Sequence, residues 1–343
     1  MASSQGMLLG HDLSTVIQCE RNGTKYFDFD LSNPKPPESI IAAHGANLVR
    51  LRLWVNPPAG YSDLPSVLQF SRRAKQANLK VLLCLHLSDY WADPGKQTTP
   101  AAWRDLDFDT LSITVNNYVA DVIDALKAQG TPPFIVAVGN EVSNGVLWPI
   151  GSLHNTKFFT GLLKSGLAAV KRQGIASMIH INNGQDQGLV TWFMDLMRAN
   201  QVEFDYLGLS FYSGDGASLS DLESSLKVVA TRYRKPVVVV ETANFWTAPN
   251  ESPNAQAAAL SELLKVVSSV PGDLGLGVVY WESAWLPLGE AYPGEGNHFW
   301  NRSLWDKQGR PLPALKCYEP YSKGHHVQPM GAKHHWFQRH DEL

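Results

Sequence analysis

The sequence predicts an α/β fold, a single (β/α)8 barrel, from three observations. Short apolar runs rich in branched side chains recur along the chain, and each is followed by a stretch of helical character, which makes eight strand–helix units. The apolar runs are continuous rather than alternating, as is typical of strands buried on both faces of a parallel sheet. The chain has 343 residues, 44% of them hydrophobic, and an α/β barrel reaches this size as one domain.

A doubly wound open sheet is the structural alternative. Such a sheet would need a glycine-rich phosphate-binding turn after an early strand, and the sequence contains none. The barrel is therefore the prediction.

The individual elements are predicted in chain order from these patterns. Strands are predicted at residues 7–13, 47–55, 80–87, 134–138, 176–182, 206–212, 237–241 and 275–281. Helices are predicted at residues 39–43, 64–76, 109–129, 158–172, 189–199, 219–233, 255–270 and 311–318. Proline and glycine mark several ends: Pro36-Pro37 opens the first helix and Gly45 ends it, while Gly130 and Pro132-Pro133 stop the third.

Composition excludes several partner classes. The net charge is −3 and only 18% of residues are charged, which argues against nucleic acid or an acidic membrane as the main partner. No apolar run is long enough to span a bilayer, and residues 1–6 are too short and polar for a signal peptide. We expect a monomer.

The three cysteines cannot all pair within the chain. Cys84 lies inside an apolar run and is predicted to be a buried thiol. Cys19 and Cys317 pair only if the fold closes and are otherwise free thiols. No Cys/His spacing resembles a zinc site.

Polar side chains collect where the predicted strands end. Because active sites of (β/α)8 barrels lie at the carboxyl ends of the strands, these side chains are expected to meet at one mouth. They are His11, Asp12, Arg50, Arg52, His86, Asp89, Asn140, Glu141, Asn182, Asn183, Tyr212, Glu241, Trp281 and Glu282.

Two glutamates in this set form a candidate catalytic pair. Glu141 follows the apolar run 134–138 and Glu241 ends the run 237–241. Two carboxylates that flank a glycosidic bond can divide the work of hydrolysis, one as acid and one as nucleophile. The alternative for either residue is a salt bridge or a charge at the start of a helix.

The surroundings of the two carboxylates should differ. Arg50 and Arg52 point the same way from one strand, so either can hold a carboxylate ionised, or both can form ion pairs inside the barrel. Tyr212 can donate a hydrogen bond to the same carboxylate. Eleven tryptophans suit either core packing or an apolar groove on which sugar rings stack.

Several motifs resemble glycoside hydrolase family 53, the clan A endo-β-1,4-galactanases that cut type I arabinogalactan. The resemblance extends from about residue 10 to residue 318, and the stretch 88–94 is its most specific part. The motifs are residues 49–57 (VRLRLWVNP), 86–94 (HLSDYWADP), 139–141 (GNE) with 147–149 (LWP), 240–243 (VETA) and 280–285 (YWESAW).

The resemblance implies a retaining mechanism on galactan side chains of pectin, with Glu141 as acid/base and Glu241 as nucleophile. It implies further roles for residues that bind the sugar or support the carboxylates. Asn140 would bind the sugar 2-hydroxyl, Arg50 and Tyr212 would support Glu241, Asn182 would lie on the leaving-group side, His86, Asp89 and Trp91 would line the donor side, and Trp281 would lie under the sugar at the cleavage point.

The chain departs from the family pattern in three places. The family usually carries an aspartate near residues 182–184, where this chain has Asn182-Asn183-Gly184, and an amide cannot ionise. The loop 244–253 is short and offers little oxygen ligation beyond Glu251, so we expect no structural calcium, no other metal and no cofactor. The loop 286–301 is rich in glycine and carries Glu290, Glu295 and His298, which can shape the groove.

The composition changes near the C-terminus. We predict a catalytic domain at residues 1–324 and a His-rich tail at 325–343 that lacks fixed structure. The last four residues, HDEL, read as an endoplasmic reticulum retention signal, which acts only if the chain enters that lumen. Three glycosylation sequons, at Asn22, Asn250 and Asn301, are compatible with secretion, which we expect because the implied substrate is a cell-wall polymer.

The sequence therefore supports three functional hypotheses. The first is an endo-acting galactanase. The second is a clan A glycanase acting on mannan or glucan with the same carboxylates. The third is a galactan-binding protein without catalytic activity, prompted by the amides at Asn182 and Asn183, although the presence of both glutamates argues against it.

Overall fold

In a computed structural model, eight parallel strands form a closed barrel in which each strand pairs with the next and the eighth pairs with the first. The structure describes residues 6–57, 61–213, 217–247, 252–288 and 300–322. The single (β/α)8 barrel predicted from the sequence is confirmed. The strands are β1 Leu8–Asp12, β2 Leu48–Leu53, β3 Lys80–Leu85, β4 Ile135–Val138, β5 Ala176–Ile181, β6 Tyr206–Ser210, β7 Val237–Thr242 and β8 Gly275–Tyr280.

Helices connect the strands and cover the outside of the barrel. They are α1 Val16–Arg21, α2 Pro37–Ala43, α3 Leu64–Gln76, α4 Phe108–Ala128, α5 Thr156–Arg172, α6 Gln187–Ala199, α7 Leu219–Arg232, α8 Pro253–Ser268 and α9 Glu319–Ser322. Side chains that accept a hydrogen bond from the backbone N–H three residues on cap several starts. These caps are Asp63, Asp107, Asn155, Asp186, Ser218 and Ser252.

Two helix predictions need correction. The six-residue α1 was not predicted, because fewer than two turns leave no periodic pattern to detect. The predicted helix at 311–318 is a 3₁₀ turn, Pro313–Lys316, followed by the separate α9. Pro320 has no N–H to donate to the carbonyl oxygen of Lys316, and its ring clashes with that carbonyl, so one continuous helix cannot run from this segment into α9, whose first turn tolerates the proline.

The apolar core has two parts, one inside the barrel and one between the barrel and its helices. Alternate residues of a strand face opposite sides, so every second residue points into the barrel. Apolar residues fill the interior below the mouth. They include Leu48, Leu82, Cys84, Ala137, Met178, Tyr206, Val238 and Val240.

Strand β7 departs from strict alternation next to the mouth. Its register against β6 shifts at Ser210, which pairs with Glu241, and its register against β8 shifts between Val239 and Thr242. Val240 already belongs to the interior cluster, so an unbroken strand would turn Glu241 toward the helices. The irregularity instead brings the Glu241 carboxylate to the interior, beside Arg50.

The three cysteines are free thiols, as one of the two sequence readings expected. Cys84 is buried inside the barrel, as predicted. Cys19 contacts the carbonyl oxygen of Leu286, whereas Cys317 contacts Ser261 and the carbonyl oxygen of Ala257.

Two predictions lie outside the described residues: the boundary at 324/325 with its His-rich tail, and the parts of the β7 and β8 loops at 248–251 and 289–299. Among the helices that the structure does describe, none has both the length and the apolar character needed to cross a bilayer.

Candidate active site

The backbone after β4 turns sharply to present Glu141 at the mouth. Gly139 has a φ of +88°, and a Cβ there would lie 2.3 Å from a methyl carbon of Val142, so only glycine fits. Glu141 itself has a φ of +48°, which is costly for a residue with a side chain. The side-chain amide of Gln97 supports this turn by donating to the carbonyl oxygens of Asn140, at 2.8 Å, and Glu141, at 3.4 Å.

Glu241 lies in a cationic and hydrogen-bonding environment. Arg50 Nη2 is 2.7 Å from Glu241 Oε1, and the Tyr212 hydroxyl donates to Glu241 Oε2 at 2.9 Å. Arg50 also reaches Asp12 Oδ2 at 2.5 Å through Nη1. Both supporting residues predicted from the sequence are therefore in contact with the carboxylate that they were expected to support.

Asn140 is held by two neighbours of opposite hydrogen-bonding character. Its Oδ1 accepts from Arg50 Nη2 at 2.7 Å, and its Nδ2 donates to the carbonyl oxygen of Ala92 at 2.8 Å. These contacts determine which end of the amide is oxygen. They leave a second N–H on Nδ2 for a ligand hydroxyl.

The two glutamates lie close together across the mouth. An oxygen of Glu141, an oxygen of Glu241 and a ring nitrogen of His180 all lie within 4.8 Å of one another. Retaining glycosidases place their two carboxyl groups about 5–5.5 Å apart, whereas inverting enzymes leave roughly 6.5–9.5 Å for a water molecule. The short separation favours direct attack by a carboxylate on the sugar.

Because the two glutamates are close together and have different neighbours, their pKa values differ. Burial and the negative charge of Glu241 raise the pKa of Glu141 to about 8. Burial also raises the pKa of Glu241, but Arg50 and the Tyr212 hydrogen bond oppose that effect. When the pair holds a single proton, Glu141 therefore carries it and Glu241 is ionised.

We expect Glu141→Gln to stabilise the protein at alkaline pH. The pKa of Glu141 in the folded protein, about 8, is above its unfolded value of roughly 4.3. The native state therefore binds more protons between these values, and stability falls as the pH rises through about 8. Glutamine removes this loss.

The free energy of unfolding from urea titrations provides the measurement. The gain of Glu141→Gln over the parent should be larger at pH 8.5 than at pH 4.5, by on the order of a few kcal/mol. An equal difference at both pH values would contradict the assignment of the proton.

Aromatic side chains form one wall of the mouth. Trp91, which is partly exposed, stacks on Trp285 at 6.1 Å with an 11° angle between the rings, and Trp281 lies 6.3 Å from Trp91. Other tryptophans, such as Trp54 and Trp305, are fully buried. Core packing therefore accounts for Trp54 and Trp305, whereas Trp91, Trp281 and Trp285 lie at the mouth.

Arg52 supports this wall. Its guanidinium carbon lies 3.9 Å from the centre of the Trp91 ring, and its Nη1 is 2.7 Å from Glu282 Oε1. Glu282 also accepts a hydrogen bond from the Thr15 hydroxyl at 2.6 Å. The arginines were expected either to hold a catalytic carboxylate ionised or to form ion pairs inside the barrel. Arg52 forms the internal ion pair with Glu282, whereas Arg50 does both, since it pairs with Asp12 and with Glu241.

His86 and Asp89 each bind a neighbouring loop. His86 Nδ1 accepts from the backbone N–H of Ala92 at 3.0 Å, and burial together with the two arginines lowers the pKa of His86 well below its usual range. The imidazole is therefore neutral and carries its proton on Nε2. Asp89 accepts from the backbone N–H groups of Asn56, at 3.0 Å, and Ala101, at 2.8 Å.

Asn182 follows β5 and is partly exposed. Its Oδ1 accepts a hydrogen bond from Ser143, which lies just after Glu141. Asn183 is exposed and has a φ of +49°. The amide at 182 is thus joined to the acid/base loop rather than to Asn183.

Four polar residues of the site were missed in the sequence: Gln97, Ser143, His180 and Ser210. Two of them had a usable signal. His180 precedes Asn182 by two residues and Ser210 precedes Tyr212 by two, so strand alternation predicts that each faces the interior. Gln97 and Ser143 lie in irregular segments, where sequence patterns give no direction.

The carboxylates and His180 are the described groups close enough to hold a metal ion together, but their environment does not suit one. Both ring nitrogens of His180 are within hydrogen-bonding distance of protein atoms, as are both oxygens of Glu241. A metal ion would have to displace these partners.

Comparison with known proteins was made on the sequence and on the fold. The model of the family described as Glycosyl hydrolase family 53 matches residues 8–318. An arabinogalactan endo-beta-1,4-galactanase of Thermothelomyces thermophilus is 35% identical over 333 residues, covering 90% of this chain and 98% of the relative.

Two solved structures match closely. One, from a study of two fungal beta-1,4-galactanases, has a TM-score of 0.82 and 34% identity, and the match covers 91% of this chain and 99% of the other. The GH53 catalytic domain of Ignisphaera aggregans has a TM-score of 0.85 and 31% identity, over 91% and 95% of the respective chains.

Proposed function

Since the chain belongs to glycosyl hydrolase family 53, we propose that it is a retaining endo-β-1,4-galactanase acting on the galactan chains of type I arabinogalactan. It is a glycoside hydrolase with a (β/α)8 barrel. The Thermothelomyces thermophilus relative and the fungal structure, which share about a third of its sequence, are named as galactanases, and this supports galactan as the substrate.

The observation that carries the proposal is the pair of strand-end carboxylates. One oxygen of each lies within 4.8 Å of an oxygen of the other, and their surroundings are opposite, one next to a guanidinium and a phenol and the other next to a serine hydroxyl. Two titratable groups whose environments separate their pKa values are suited to the roles of nucleophile and acid.

In the proposed mechanism, hydrolysis takes two steps. Glu241 attacks the anomeric carbon while Glu141 transfers its proton to the glycosidic oxygen, so the bond to the leaving sugar breaks and an ester to Glu241 forms. In the second step Glu141, now ionised, takes a proton from water, and the resulting hydroxide displaces Glu241. The anomeric carbon is attacked twice, with inversion each time, so its configuration is retained.

The remaining predicted residues are assigned to sugar binding in the same proposal. Asn140 donates its second Nδ2 proton to the 2-hydroxyl, a contact that strengthens in the transition state. Trp281 supports the apolar face of the sugar at the cleavage point, with Trp91 and His86 on the donor side. Asp89 has a free lone pair on each oxygen for a hydroxyl, and Asn182 contacts the leaving-group side.

A substrate panel tests the proposal. Release of reducing ends should be fastest on linear β-1,4-galactan, and early products should be a mixture of oligosaccharides rather than one sugar. Faster hydrolysis of mannan or carboxymethyl-cellulose would contradict galactan as the substrate and assign that polymer instead. Saturable binding to galactan without any product would show a binding protein.

The proposal uses no cofactor and no structural calcium, and it assigns the enzyme to the extracellular space as a monomer. A polysaccharide of the cell wall is reached from outside the cell. Activity that is unchanged after dialysis against EDTA, and a single monomer peak in size-exclusion chromatography, are the expected results.

A further inference from the structure

A line of hydrogen bonds connects Glu141 to Asn140 through two buried side chains. Glu141 Oε1 is 2.6 Å from Ser210 Oγ, Ser210 Oγ is 2.8 Å from His180 Nε2, and His180 Nδ1 is 3.1 Å from Asn140 Oδ1. Ser210 is 2% exposed and His180 is fully buried, so water does not supply alternative partners. The position of each proton along this line can be worked out from its two ends.

The Asn140 end is determined by its other neighbours. Asn140 Oδ1 accepts from Arg50, and Nδ2 donates to the carbonyl oxygen of Ala92. The atom that faces His180 Nδ1 is therefore an acceptor, so Nδ1 must carry the proton of that hydrogen bond.

The protonation state of His180 follows from its surroundings. Burial and the nearby charge of Arg50 lower the pKa of His180 well below its usual range. The ring is neutral and holds one proton, on Nδ1. Its Nε2 is consequently a lone pair, and the Ser210 hydroxyl must donate to it.

Ser210 has only one proton, and it is committed to His180. The 2.6 Å contact between Ser210 Oγ and Glu141 Oε1 is then satisfied only when Glu141 supplies the proton. If Glu141 is ionised, Ser210 must turn its hydroxyl to the carboxylate, and His180 Nε2 loses its donor.

We propose that Ser210 and His180 are positioning residues that hold the acid proton on Glu141 Oε1, because only the protonated carboxyl satisfies every hydrogen bond in the line. The proposal rests on the proposed role of Glu141 as acid/base. When this proton moves from Glu141 Oε1 to the glycosidic oxygen, Ser210 turns its hydroxyl from His180 Nε2 to the ionised carboxylate, so the Ser210–His180 bond breaks and a bond from Ser210 to Glu141 replaces it. The Ser210–His180 bond forms again when Glu141 takes a proton from water, which favours the second step.

Other charged and titratable groups also face Glu141 and act in every variant. They are Glu241 from β7, Arg50 from β2, Asp93 from the loop after β3 and Tyr212 after β6. The experiment must therefore change the line of hydrogen bonds and leave these groups in place.

Replacing His180 by phenylalanine tests the proposal. Without Nε2, the Ser210 hydroxyl is free to donate to ionised Glu141, so the loss of kcat/KM at high pH should begin about one pH unit lower than in the parent. In the opposite arrangement, His180 would donate to Ser210 and Ser210 to ionised Glu141. If the pH at which kcat/KM begins to fall is unchanged or higher, that arrangement is supported and the proposal is overturned.

Ser210→Ala provides a second, smaller change that does not depend on the fold tolerating a substitution at His180. It removes a partner from both protonation states of Glu141, so the basic limit should stay within about half a pH unit of the parent. If Ser210 served only as a donor to the carboxylate, the limit would instead move up by about one unit.

Nuclear magnetic resonance of ¹⁵N-histidine-labelled wild type reports the tautomer of His180 independently of catalytic activity. We expect the signal of a buried neutral histidine protonated on Nδ1, and this signal should be absent from the spectrum of His180→Phe. It should be unchanged in Glu141→Gln, because the glutamine amide donates to Ser210 as the acid does. A proton on Nε2 overturns the inference even if galactan is cleaved. Failure to cleave galactan would overturn the proposed function and leave the tautomer readable.

Discussion

Replacing either Glu141 or Glu241 by alanine is expected to abolish release of reducing ends from β-1,4-galactan. General acid–base catalysis alone accounts for about 10²–10⁴-fold in rate, and loss of the nucleophile should cost at least as much. The two variants should nevertheless fail in different ways, since one removes a proton donor and the other removes the group that forms the covalent bond.

Azide and an aryl galactoside with a good leaving group separate the two failures. Glu141→Ala should still form the glycosyl-enzyme from the activated substrate, and azide should then give the β-galactosyl azide. Glu241→Ala cannot form the ester, so azide should attack directly and give the α-galactosyl azide. The same anomer from both variants would contradict the assignment of the roles.

Glu38→Ala is a matched control for this pair. Glu38 is also a buried glutamate, 4% exposed, but it binds Arg73 between the outer helices rather than facing the mouth. It should change stability and leave the kcat of the folded enzyme near that of the parent. A loss of activity as large as that of the mouth variants would mean that fold damage, not chemistry, explains the result.

Arg50→Met should produce the second largest effect. Arg50 is 1% exposed and binds Asp12, Asn140 and Glu241, so its loss leaves two buried carboxylates without their cation. Removal of one partner of a buried pair typically costs about 3–5 kcal/mol. We expect a comparable loss of stability and a fall in kcat/KM of about 10²–10³-fold, because Glu241 would no longer be held ionised or in place.

The pH profile distinguishes this effect from simple destabilisation. Without Arg50 the pKa of Glu241 should rise further, so activity on the acidic side should begin at a higher pH. Arg73→Met is the control, since Arg73 also joins two carboxylates, Glu20 and Glu38, but on the outer helices. It should lower the melting temperature without moving the acidic side of the pH–activity profile. If the acidic side of the profile is also unmoved in Arg50→Met, the role of Arg50 is contradicted.

Much of the fold could be predicted because each strand carries its own signal. The run at 237–240 is apolar on consecutive positions, which is typical of a strand covered on both faces, and β7 lies there. The short α1 and the interrupted segment at 311–318 could not be predicted correctly. Their form depends on single turns and prolines rather than on a repeating pattern.

The sequence by itself determined that the chain forms a barrel, that Glu141 follows its fourth strand and that Glu241 lies near the end of its seventh strand. These facts are local: apolar runs and the residues that end them can be read along the chain. The tertiary structure alone decided that the register shift in β7 turns Glu241 inward and that Arg50, which was expected to support Glu241, also binds Asp12.

Tertiary structure also placed Ser210 from β6 and His180 from β5 behind Glu141 from the β4 loop. The physical reason is that pKa values and proton positions depend on burial and on partners from other strands. Neither is visible in the neighbouring residues of one strand. The sequence can name the two carboxylates, but only their packing across the barrel gives one of them the proton.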